Sequence, residues 1–369
     1  MKKKETIIAI SLILLTAGLA YAGSLQPTAA PASTMKTLDQ VEPRIPIPGG
    51  SVSTRFEITT PGSYYLTGNR TVTSTTVTGI WIDCSNVTID LMGYSLTGPD
   101  SGAYSGILIN SGSGNGNIEI RNGTVNHFGG GGILSTGSSR DIRIKDIRSM
   151  LNGSHGFLIQ GIGIQIEGCI AAETNGKGYS VGQSTAGNAI IRNCIARENT
   201  DVGFYVYKGS VVTECSSYGN GGDGFFTNGG GVTISKCSSC NNASEGIYAF
   251  NGSISVLDCI CKDNGGNGIQ IGTGGGVIKN NFVSGSGGAY GIYASAGSTI
   301  INNTANGNTN YGIYADNGCT IISNSASGNV RGIYTNGASL VDQNAARNNT
   351  TENLYLFAGC VVPSANYAP

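Results

Sequence analysis

Hydrophobic and polar residues alternate along most of this chain in short runs, each ended by Gly, Asn, Asp or Ser. Alternation of period two predicts strands with one face inward, and no long 3.6-residue apolar period follows the first segment. The runs are copies of one unit. Gly-apolar-x-apolar begins at Gly79 and recurs at Gly106, Gly132, Gly156, Gly178, Gly203, Gly224, Gly246, Gly268, Gly291, Gly312 and Gly332; it returns without its glycine at Asn353, and successive starts lie 20 to 27 residues apart. In the copy from Gly312 to Arg331, Gly312 to Ala315 reads as a first strand, Thr320 to Ile322 as a second and Ser325 to Ser327 as a third. Turn residues separate them. One such unit cannot bury its apolar face alone. Copies stacked about 4.8 Å apart, the spacing of hydrogen-bonded strands, bury a continuous core and pair every strand. About thirteen rungs at that spacing give a rod on the order of 60 Å long.

Three files of residues test this register. The residue after each glycine is apolar and inward: Ile80, Ile107, Ile133, Phe157, Tyr179, Phe204, Phe225, Ile247 and onward to Leu354. The corner after the second strand holds Cys169, Cys194, Cys215, Cys237 and Cys259, then switches to Asn281, Asn303, Asn324 and Asn344. A further asparagine file lies five residues beyond the corner, from Asn199 through Asn220, Asn242 and Asn264 to Asn308, Asn329 and Asn349. Asn tolerates the left-handed backbone of turns, and stacked Asn side chains bond one another along a rod.

The Gly-Ile-x-x run, the Cys/Asn corner and the Asn turn resemble the parallel β-helix repeat of the pectate-lyase-like superfamily. The resemblance covers roughly residues 79 to 360. It implies an all-β chain folded as a single-stranded right-handed parallel β-helix. It implies no one reaction, since the superfamily includes lyases, hydrolases, epimerases and proteins without known activity.

The ends complete the organisation. Lys2, Lys3 and Lys4, the apolar run Ile7 to Leu19 and Ala20-Tyr21-Ala22 read as a signal peptide over residues 1–22. Residues 23–35 read as a flexible linker. Residues 36–78 read as an N-terminal cap with a first irregular coil, whose Ile45, Ile47, Phe56, Ile58 and Leu66 plug the end of the stack. Residues 79–369 are the β-helix. The expected location is secreted or periplasmic.

Charge excludes some partners. Only 12% of residues are charged and the net charge is −1, so nothing electrostatic points to nucleic acid or to an anionic membrane. No later stretch has the length of a membrane span. Ten Cys in an exported chain raise the question of disulfides. The corner file reads instead as buried thiols packed as small hydrophobes. Cys240 and Cys261, off that file on neighbouring coils, are the pair expected to bridge.

Candidate chemistry lies on the outward positions. The second residue after each glycine forms a file that includes Trp81, Tyr205, Phe226, Tyr248, Tyr293, Tyr314, Tyr334 and Tyr355, and Tyr207 and Phe250 stand beside it. Aromatic faces stack on sugar rings, and the rungs repeat at about 5 Å, close to one sugar unit. The same residues also suit a strand and pair across rungs, so a polysaccharide track and a purely structural stripe both fit. The residue before each glycine adds His155, Lys177, Asp223 and Glu245, with Asp201 nearby. Elimination at a uronate needs a group to neutralise the carboxylate and a base for the C5 proton. His155, Lys177 and Tyr205 are the catalytic candidates; Tyr207, Asp223, Phe226, Glu245, Tyr248, Phe250, Tyr293, Tyr314 and Tyr334 are the substrate-binding candidates. Solvated turn charges are the alternative for the charged members. Glu119, Arg121, Arg143, Lys145, Glu167 and Arg192 on the second strands alternate in sign, as surface ion pairs do.

Other patterns are set aside. Gly219 to Gly224 fits G-x-G-x-x-G but precedes no helix. Ser154-His155-Gly156 and Arg143-Ile144-Lys145 are similar to elements of polygalacturonase-type hydrolases in reversed order. No paired Asp is found on one face, which argues against an inverting hydrolase. No cofactor is implied, and calcium is left open without a clear site. The expected partner is an extended, possibly acidic polysaccharide. It is either cleaved by a lyase or only bound, against the alternative of a non-catalytic structural or adhesive surface rod.

Overall fold

The computed structural model describes residues 44–369 apart from positions 111, 113, 138 and 183–186. The expected signal peptide, the linker and residues 36–43 of the expected cap lie outside the described residues. From Ile45 onward the ordered elements are strands, and all their pairings are parallel. No helix among the described residues is long and apolar enough to cross a membrane. The chain winds in right-handed coils. Each regular coil gives its first strand to a sheet of 14 strands and its second and third to a sheet of 26.

The inward file sets the register. Ile80 pairs with Ile107, Ile107 with Ile133, Ile133 with Phe157, Phe157 with Tyr179 and Tyr179 with Phe204. The smaller sheet counts one strand more than the glycine marker does. Phe56–Ile58 pairs with Ile80–Ile82, and Ile45–Ile47 pairs with Tyr64 to Leu66. Within the residues read as a cap with a first irregular coil, Phe56-x-Ile58 and Tyr64-x-Leu66 already alternate and pair as later repeats do, without the preceding glycine.

Backbone proximity explains that glycine. A Cβ on Gly224 would lie 2.6 Å from the carbonyl oxygen of Gly246, and one on Gly246 2.5 Å from that of Gly268. Inside, the rings of Phe157, Tyr179, Phe204 and Phe225 stack at 4.8, 4.6 and 4.9 Å, which is the rung spacing itself. Each buried side chain of this size contributes about 1.5–3 kcal/mol by leaving water. The Tyr179 hydroxyl donates to the Ile195 carbonyl at 3.2 Å, which satisfies its polar end.

The corner ladder is buried throughout. Asn281 Nδ2 donates to Asn303 Oδ1 at 2.9 Å, Asn303 to Asn324 at 3.0 Å and Asn324 to Asn344 at 3.0 Å. The turn ladder does the same from Asn199 to Asn220 at 2.8 Å and from Asn220 to Asn242 at 2.9 Å. The left-handed backbone expected at corner asparagines falls one residue earlier. Asn280, Asn302, Ser323 and Gln343, which precede Asn281, Asn303, Asn324 and Asn344, carry φ between 54° and 59°. The laddered residue is selected for its amide, and its predecessor, which is not buried, turns the chain.

All ten cysteines are free. Cys240 and Cys261 do not bridge, because Cys261 pairs with Ser239 while Cys240 pairs with Lys262. That offset of one residue sends Cys261 into the core and Cys240 outward.

Candidate functional site

Strand alternation puts the even positions of the smaller sheet on one outer face. There Tyr205 stacks on Phe226 at 4.8 Å, and Phe226 meets Tyr248 edge-on at 5.4 Å. Tyr207 lies 5.1 Å from Tyr205, and Phe250 6.0 Å from Tyr248. Further along, Tyr293 stacks on Tyr314 at 5.7 Å, Tyr314 on Tyr334 at 5.3 Å and Tyr334 on Tyr355 at 4.4 Å. Tyr290 and Tyr311, not among the binding candidates, widen this second group by standing 5.0 and 5.2 Å from Tyr314. Their signal was the repeated Tyr-Gly-Ile-Tyr, in which a residue before the glycine reaches round to the outward ring. Between the two groups the file holds Gln270, paired with Tyr248 on one side and Tyr293 on the other.

A charged cluster adjoins the first group. Lys177 Nζ is 2.8 Å from Asp201 Oδ2 and 5.4 Å from the centre of the Tyr205 ring. His155 Nδ1 accepts the backbone N–H of Lys177 at 3.1 Å. That acceptor role assigns the ring proton to Nε2. Burial, followed by the Lys177 charge, lowers the His155 pKa and keeps the imidazole neutral. Gly176 makes room for it, since a Cβ there would lie 2.6 Å from Nδ1. Burial alone would raise the Asp201 pKa. The hydrogen bonds from Lys177 and from the Val202 N–H outweigh it and hold the carboxylate below its usual range.

The structure therefore brings His155, Lys177 and Tyr205 together, with Asp201 as the partner that completes the group. It also brings together two carboxyls where the reading of the sequence found no pair of Asp on one face. Asp223 Oδ1 accepts the Glu245 backbone N–H at 3.0 Å. Burial and then the neighbouring Glu245 carboxyl push the Asp223 pKa up to about 7. Both residues stand in the file before the glycines and both are binding candidates, but the reading of the sequence looked for a carboxyl pair only among Asp residues.

Tyr293 donates to Asp316 at 2.7 Å, and Arg331 donates to the Tyr311 hydroxyl at 3.1 Å. On the larger sheet, Glu167 sits 3.3 Å from Lys145 and 2.8 Å from Arg192, the ion pairing expected of that patch. Among the described residues no group of three His, Cys, Asp or Glu side chains is placed to hold a metal ion.

Comparison with known proteins agrees with this architecture. The A-module of Azotobacter vinelandii mannuronan C-5 epimerase AlgE4 superposes with a TM-score of 0.56 at 17% identity, covering 81% of this chain and 90% of that one. The A-module of AlgE6 from the same organism gives 0.54 at 16% identity, covering 84% and 91%. A double mutant of the periplasmic alginate epimerase AlgG gives 0.50 at 15%, covering 76% and 75%. At these identities the likeness is one of fold. No curated protein matches the sequence. The family described as right handed beta helix region matches residues 58–220 and 223–366. With most of its length so matched, and with the coiled parallel sheets described above, the chain belongs to the right-handed β-helix family.

Proposed function

We propose that this protein binds extended polysaccharide along the aromatic face of its smaller sheet. The observation that carries the reading is the series of half-exposed rings from Tyr205 to Tyr355, in mutual contact on both sides of Gln270. A soluble rod gains nothing by leaving such a stripe open to water, whereas sugar C–H groups stack on it. The fold relatives named above are epimerases of mannuronan and alginate, which supports a polymer of sugars as the partner here. Export to the periplasm or the exterior belongs to the same proposal.

The test is retardation in native gels cast with a panel of neutral and uronate polysaccharides. Retardation by at least one polymer, weakened in Tyr314→Ala and Tyr334→Ala, is expected. Mobility unchanged by every polymer overturns the reading and leaves a structural or adhesive rod.

The His155–Lys177–Tyr205 cluster favours a second reading, cleavage of the bound polymer by β-elimination. Lys177, exchanging Asp201 for the uronate carboxylate, neutralises it. Tyr205, acting through its phenolate oxygen, takes the C5 proton and passes it to the leaving O4 as the C4–O bond breaks and the C4=C5 double bond forms, while the neutral His155 donates an Nε2–H hydrogen bond to the substrate. Incubation with each polymer, with and without calcium, tests it. Unsaturated ends, absent in His155→Ala and Lys177→Ala, are expected. Retardation without new ends leaves the binding reading alone standing.

A further inference from the structure

We propose that the interruption of the aromatic file at Gln270 is a slot for one uncharged pyranose ring of the polymer. The inference rests on the polysaccharide reading and adds which unit is gripped and where. Tyr248 and Phe250 wall the slot on one side, Tyr290 and Tyr293 on the other, and Gln270 and Thr273 contribute to its floor; the cavity measures about 420 Å³. Its walls belong to coils on either side of Gln270, two rung spacings or about 9.6 Å apart. Contact distances of about 3.5–4 Å to each wall leave room between them for a single puckered ring.

The floor is polar in the way a sugar requires. Gln270 Oε1 accepts from Asn267 Nδ2, and Gln270 Nε2 has no partner among the described residues. That amide nitrogen is a donor for a ring hydroxyl. Thr273 Oγ1 and Asn251 Oδ1, 3.2 Å apart, offer a second polar edge. No charged side chain lines the cavity. A carboxylate inside it would lose water without gaining a counter-ion, so the slot takes a neutral ring whatever the charge of the units near Lys177.

Gln270→Tyr tests this, since Tyr occupies the same file position in neighbouring coils and fills the slot without disturbing the strand. Calorimetric titration would use neutral gluco-, manno- and galacto-oligosaccharides and an oligouronate. The expected result is a neutral oligosaccharide whose Kd weakens about tenfold or more in Gln270→Tyr, with unfolding temperature unchanged and with polymer retardation still weakened by Tyr334→Ala. Equal or tighter binding of that oligosaccharide by Gln270→Tyr overturns the slot while leaving the track in place. Wild-type binding of the oligouronate as tight as that of the neutral sugars, lost in Gln270→Tyr, overturns the restriction to an uncharged ring. A wild-type protein that binds no sugar at all overturns the polysaccharide reading, and the slot with it.

Discussion

Two halves of one rod turn the same corner with different side chains. From Cys169 to Cys259 the corner is filled by thiols, typified by Cys215 Sγ, which reaches the Ile191 carbonyl at 3.7 Å. From Asn281 to Asn344 it is filled by amides. Asn303, for instance, donates to the Ile278 carbonyl at 2.8 Å and to Asn324 at 3.0 Å. The core changes in step: the thiol half holds the ring stack from Phe157 to Phe225, whereas the amide half holds Ile and Ala. The outer face changes too, with the charges of His155 to Glu245 beside the thiol half and the tyrosines from Tyr290 to Tyr355 beside the amide half. One backbone register thus accepts two solutions, and each half draws its stability from a different source. Weak sulfur contacts suffice where large rings already fill the interior; strong amide ladders compensate where they do not.

The largest expected effect comes from the ring stack. Phe204→Ala removes the ring between Tyr179 and Phe225 and should lower stability by about 3–5 kcal/mol, read from the urea midpoint. A loss under about 1 kcal/mol would mean that the thiol half is not held by its rings. Next comes the polar ladder. Asn303→Leu strands the Ile278 carbonyl and the Asn281 N–H that Asn303 Oδ1 accepts at 2.9 Å. With one to three kcal/mol for each orphaned group, a loss of about 3 kcal/mol is expected, and Cys215→Ala should cost about half of that. Equal losses at the two corners would erase the contrast between thiol and amide.

A further effect is one of pH. The folded state raises the Asp223 pKa from 3.8 to about 7. Between those values the folded chain keeps a proton that the unfolded chain has released, so the stability due to this group is full below 3.8 and is lost as pH rises through about 7. The unfolding temperature of wild type should fall over that window relative to Asp223→Asn, in which the step is absent. A parallel course for the two proteins would place the carboxyl pair in water.

The coil was legible because a solenoid writes each contact into the chain again and again. Ile, Cys and Asn recur at the same offset from a glycine, and the pairings follow. Legibility weakened where the marker lapsed, as at Phe56, whose coil has no glycine before it and was read only as irregular. It failed also where pairing depends on a single-residue offset, as with Cys240 and Cys261. The site was half legible. The outward file gave Tyr205 through Tyr334, and adjacency gave His155 with Lys177. The partnership of Asp201 with Lys177, the turning of Tyr290 and Tyr311 toward their neighbours and the cavity at Gln270 depend on side-chain reach, which spacing along a chain does not record.

The corner amides all point the same way. Each donates to the asparagine of the coil that follows and accepts from that of the coil before, so every coil of the amide half offers identical fittings above and below. Excising Gly312 to Arg331 would set Asn303 under Asn344 and Ile292 beside Ile333, and each severed bond would find an equivalent partner. The rod is therefore editable in whole coils. A lineage that duplicates or loses one changes the length of the aromatic face without having to invent a new interface, and length becomes a trait that can drift in steps.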